Sequence, residues 1–87
     1  MNNFTAHIIF QDTIAEYDIY QKDNYFRAEL IISRSSALLP KDIIFRKEKG
    51  CWKNNLMLDA HVHYQFAFHI DNHLLDAHIE EYKLYAA

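Results

Sequence analysis

The stretch Leu58-Asp59-Ala60-His61-Val62-His63-Tyr64-Gln65-Phe66-Ala67-Phe68-His69-Ile70 decides how this chain folds. Val62, Tyr64, Phe66, Phe68 and Ile70 alternate with His63, Gln65, Ala67 and His69, so the segment taken alone reads as an aromatic-rich strand. Leu58, Val62, Phe66, Ile70 and Leu74 also recur every four residues, the repeat of one helical face. No Gly or Pro occurs from Cys51 to the end, and Asp59 is placed to act as an N-cap. A helix fills such a breaker-free length, whereas strands usually stop within about ten residues. The spacing therefore predicts one long helix over 55–85; a strand there would make the domain mostly β. On the helix, a polar stripe collects His61, Gln65, His69, Asn72, His73, Asp76, Glu80 and Lys83.

Upstream of residue 55 the period falls to two. Phe4, Ala6, Ile8 and Phe10 share one face of a first strand, and Gln11-Asp12-Thr13 turns the chain. In the second strand, over 14–21, Ala15, Tyr17 and Ile19 oppose Glu16, Asp18 and Tyr20. Lys22-Asp23-Asn24 leads into a third over 25–32, where Phe26, Ala28, Leu30 and Ile32 oppose Tyr25, Arg27, Glu29 and Ile31. Short connections make these neighbours in an antiparallel meander. Ser33-Arg34-Ser35-Ser36 and Leu38-Leu39-Pro40 form the longest loop, since proline suits entry to a strand better than its middle. A fourth strand follows over 42–48, then a tight turn at Lys49-Gly50 and a short fifth, 51–54, anchored by Trp52. The expected fold is α+β: an antiparallel meander of four to five strands (4–54) with one long C-terminal helix packed on one face, in a single domain of residues 1–87.

A chain of 87 residues supports one thin core and no deep interlobe cleft, which disfavours buried-cleft enzymes. Half the residues are apolar and 15% are aromatic, a load that a two-layer domain hides with difficulty. Association with a second copy or another protein is the natural outlet. The tyrosines Tyr17, Tyr20, Tyr25, Tyr64, Tyr82 and Tyr85 are read as exposed and suited to an interface, and Tyr82 and Tyr85 make the tail unusually apolar for a free terminus. Cys51 is the only cysteine, so no intramolecular disulfide forms and a reducing cytoplasm fits. The start lacks a basic segment followed by a long apolar one, and no stretch approaches bilayer length, so no membrane role is expected.

The segment Leu39-Pro40-Lys41-Asp42-Ile43-Ile44-Phe45, the turn into Trp52, and Phe66, Ile70, Asp71, Asn72 and His73 further on resemble small bacterial proteins frequent in Bacteroidetes. The likeness spans 38–75 and implies strands followed by a helix, with no activity attached.

Three constellations carry chemistry on paper. His69 and His73 are four apart, hence on one helical face about 6 Å apart at Cβ, and Asp76 follows three residues later. With His61 nearby, these could take Zn²⁺ or Fe²⁺; with no HExxH and no cysteine pair, a solvated or pH-sensitive face is the plainer account. Arg46, Lys47, Lys49 and Lys53 interleave with Phe45 and Trp52, as in strand surfaces that stack bases and neutralise phosphates. Residues 41–53 carry five basic against two acidic groups, +3, but the whole chain is −3 and alternation splits these charges between two faces. Cys51 between Lys49 and Lys53 has a weakly positive setting, yet a cysteine in a short strand is usually a small buried hydrophobe, and no histidine is placed as its base. The residues thus point to no catalytic group and no cofactor, and to a non-enzymatic, self-associating or protein-binding module.

Overall fold

The computed structural model describes residues 3–33 and 39–86, with side chains for 3–32 and 39–75. Five strands, β1 (Asn3–Phe10), β2 (Thr13–Gln21), β3 (Phe26–Ser33), β4 (Asp42–Glu48) and β5 (Cys51–Asn54), form one antiparallel sheet in sequential order. One helix, α1 (Ala60–Ala86), covers one face. The α+β class and the meander expected from periodicity are both present. Residues 55–59, expected inside the helix, precede it: the Asp59 carboxylate accepts from the His61 amide at 3.0 Å and its carbonyl from the His63 amide at 2.9 Å, so the cap sets the first turn.

Two hairpins close through two-residue turns in which both residues have positive φ, Gln11 (48°) with Asp12 (61°) and Lys49 (52°) with Gly50 (81°). That backbone matches the twist of paired strands, and only at Gly50 does the turn meet no Cβ penalty. The core lies between sheet and helix. Ala6, Ile8, Ala15, Tyr17, Ile19, Phe26, Ala28, Ile43 and Phe45 point up from the strands to meet Val62, Phe66 and Ile70. Small Ala6, Ala15 and Ala28 let the helix approach, and Phe66 sits edge-on to Tyr17 at 4.8 Å and beside Phe45 at 5.0 Å.

Three further expectations are corrected. Tyr17, counted among the exposed tyrosines, is fully buried, and its hydroxyl donates to the Pro40 carbonyl at 2.7 Å; burial pushes its pKa up to about 12. Ile32, expected beside Leu30 on the core face, is 56% exposed. The β2–β3 register steps from Tyr17↔Leu30 to Glu16↔Ile32, so Ile31 is an extra bulged residue and everything beyond it turns over. Cys51, read as a small buried hydrophobe, is exposed and faces away from the helix with Lys53. The expected loop residues Arg34, Ser35, Ser36 and Leu38 lie outside the described residues.

Candidate interaction surface

Helix α1 presents four differently employed rows, set by its 3.6-residue turn. Val62, Phe66 and Ile70 face inward. Toward β1, the Gln65 amide donates to the Ile9 carbonyl at 2.7 Å and accepts from the Ile9 amide at 2.8 Å. His69 Nε2 lies 3.2 Å from the His7 carbonyl, and His73 stacks on Phe4 at 4.3 Å between ring centroids. A side-chain amide thus occupies the place a neighbouring strand would take, which blunts the free edge of β1. Toward β5, Asp71 accepts from the Trp52 indole N–H at 2.8 Å, and His63 Nδ1 meets the Asn54 amide at 2.9 Å.

The fourth row faces solvent and is apolar at three of its five positions, with Asp71 on its β5 side. Tyr64 is 70% exposed, Phe68 63% and Leu75 54%, in line with exposed His61 and Asp71. A helix with apolar residues on opposite faces is not a simple surface helix.

Among the described residues the sheet face away from α1 is uncovered, and most of it is polar by cross-strand pairing. Arg27 forks onto Asp42 at 2.9 and 3.2 Å with Glu29 at 3.2 Å, Thr5 donates to Asp18, and His7 lies 3.5 Å from Glu16. Asp42 first and then Glu29 push the Arg27 pKa up. At the β1–β2 hairpin end the pattern changes: register partners Ile9 and Ile14 are 57% and 58% exposed, and the bulge adds Ile31 and Ile32. Ile9 also shares a groove of about 370 Å³ with His7, His61, Tyr64, Gln65, Phe68 and His69, so apolar surface runs from the isoleucines around the β1 edge to the helix row. Such continuity exceeds the scattered apolar residues of an ordinary surface.

The sequence candidates fare differently. His69 and His73 do share one side of α1, but they are engaged with His7 and Phe4; among the described residues no group of three His, Cys, Asp or Glu is placed to hold a metal, and the Asp76 side chain lies outside them. The basic residues divide. Arg46 sits over Tyr25 (5.6 Å) on the open face with its register partner Lys53, Lys47 lies over Trp52 (5.5 Å) on the helix side, and Lys49 is in the turn. Phe45, the aromatic proposed to stack bases, is fully buried. The side chains of Tyr82 and Tyr85 lie outside the described residues. Sequence reading missed the isoleucine end and the exposed helix row; the three-and-four spacing of His61, Tyr64, Phe68, Asp71 and Leu75 was the available signal. Among the described residues no helix is long and apolar enough to cross a membrane.

What fold and surface define together is a small α+β domain whose exposed apolar groups lie on the outer row of its helix, at one end of its open sheet and at Leu56 and Met57 just before the helix. Compared with known proteins, the chain matches no family model, no curated protein and no solved structure.

Proposed function

We propose that this chain is a non-enzymatic, cytoplasmic module that acts by protein–protein association, with further copies of itself as the first partner. The observation that carries the reading is the exposure of Tyr64, Phe68 and Leu75 in one row of a helix whose opposite row already fills the core. Aromatic anchors of this type add contact area at small entropic cost, and their exposure is unfavourable unless covered. A free, exposed Cys51 fits a reducing compartment. In the sequence Tyr82 follows Leu75 by seven residues, two helical turns, which keeps Tyr82 and Tyr85 among the proposed interface residues.

Sedimentation velocity over a wide concentration range tests this. Self-association requires a sedimentation coefficient that rises with concentration; a constant monomer value up to about 0.1 mM, where a Kd near 1 μM would leave nearly all chains paired, defeats it. Changing Tyr82 and Tyr85 to Ser is expected to weaken association without loss of helical circular dichroism, and unchanged sedimentation removes the tail from the interface.

A further inference from the structure

The outer row of α1 is His61, Tyr64, Phe68, Asp71 and Leu75, with successive gaps of three, four, three and four. That is the a/d spacing by which two helices pack along a seam. All five residues are exposed. We infer that the row is the seam of an antiparallel helix pair with a second copy of this chain, in the one register that sets His61 opposite Asp71 and Tyr64 opposite Phe68. The inference rests on the self-association reading and supplies its surface and geometry.

The register follows from charge and shape. A parallel pair places Asp71 on Asp71 and His61 on His61, like against like at the contact, which disfavours it. An antiparallel pair shifted one heptad step toward the C-terminus places Asp71 against Phe68, stranding a carboxylate on an aromatic face. The opposite shift leaves both Phe68 and Asp71 facing residues that precede the helix, whereas the central register leaves only Leu75 so placed, across from Met57. Centring the pair between Tyr64 and Phe68 is self-complementary: two aromatic layers lie at the middle and two His–Asp layers flank them, the same contact made twice as a twofold axis demands. Asp71 has an oxygen to spare, because Trp52 uses only Oδ1. Trp52 also fixes the Asp71 rotamer, and Gln65 and His69 on one flank tie α1 to β1, so the seam is held on a braced helix.

One competing surface is the isoleucine end of the sheet. Among the described residues its lining carries the carboxylates Asp12 and Glu16, which a twofold contact there would bring together.

Cysteine cross-linking in a Cys51→Ser background separates the possibilities. His61 and Asp71 are ten residues apart, about 15 Å along the helix, beyond the reach of a disulfide within one chain. The double variant His61→Cys with Asp71→Cys is expected to form a covalent dimer on mild oxidation, and each single variant to stay largely monomeric under denaturing, non-reducing conditions. Phe68→Glu, at an exposed position, is expected to weaken the wild-type dimer by about tenfold or more with its helical signal kept. Single variants that cross-link as readily as the double overturn the antiparallel register. A wild-type dimer that resists Phe68→Glu but falls apart with Ile14→Glu overturns the seam while leaving self-association standing. A wild-type chain that never dimerises defeats both readings.

Discussion

The inward and outward rows of α1 are built from the same kinds of residue and have opposite fates. Val62, Phe66 and Ile70 are buried against the sheet, and Tyr64, Phe68 and Leu75, on the same turns, face water. Apolar character therefore does not tell which row makes the core. Partners on the sheet decide it: Tyr17, Phe45, Ile8 and Ile19 pack against the inner row, and the described residues leave Tyr64, Phe68 and Leu75 more than half exposed. The inner row holds the monomer together, and the outer row is free to hold monomers to each other.

The sharpest way to break this contrast is at Phe66. Phe66→Ala removes a fully buried ring that touches Tyr17 and Phe45, and a loss of about 3–5 kcal/mol is expected in urea unfolding at low protein concentration. For a domain of this size such a loss is enough to unfold much of the population. A loss under about 1 kcal/mol there would mean that the inner row is not the core.

Between the two rows lies Gln65, which belongs to neither. Gln65→Leu keeps volume but releases the Ile9 amide and carbonyl at the β1 edge. The expected cost is about 1–2 kcal/mol, with faster amide exchange at Ile9 and a stronger tendency to pair edge to edge. Unchanged exchange at Ile9 would show that the edge does not depend on this side chain.

How much of this could be read in the sequence follows from what repeats. The two-residue alternation of Phe4–Phe10 and Ala15–Ile19 located the first strands, and the four-residue recurrence of Val62, Phe66 and Ile70 located the helix. The Ile31 bulge could not be read, because an inserted residue leaves the alternation of side-chain types intact while reversing which face they meet. Tyr17 was ambiguous for a related reason: its phenol suits a surface, and the Pro40 carbonyl that satisfies its hydroxyl is far away in sequence. The histidines of the stripe were visible, but their use at a strand edge was not, since it depends on how α1 is placed over β1.

Tyr17 allows the ring and its hydroxyl to be separated. Tyr17→Phe retains the edge-on contact with Phe66 and loses the bond to Pro40, so a cost of about 1 kcal/mol is expected. The raised pKa makes a further prediction. A tyrosine near 10 when unfolded and about 12 when folded is neutral in both states below pH 10, so its contribution is complete there and is lost as pH rises through about 12. Burial and the nearby Asp18 and Glu29 also raise Tyr20, so absorbance near 295 nm should show late tyrosine ionisation whose amplitude falls, without vanishing, in Tyr17→Phe.

The smallest effect on the folded chain is expected at Phe68, two residues from the position where the effect is largest. Phe68→Ala removes a ring that is 63% exposed, so at concentrations where the chain is monomeric its unfolding free energy should change by no more than about 0.5 kcal/mol. Association adds a separate term, because anything that binds only the folded chain raises its apparent stability with concentration. The wild-type melting temperature should therefore climb as protein is concentrated, whereas that of Phe68→Ala should stay nearly flat and meet the wild-type value at the dilute end. Two parallel, rising lines would show that association uses a surface that does not include Phe68, and two lines offset even at high dilution would place Phe68 with Phe66 in holding the monomer.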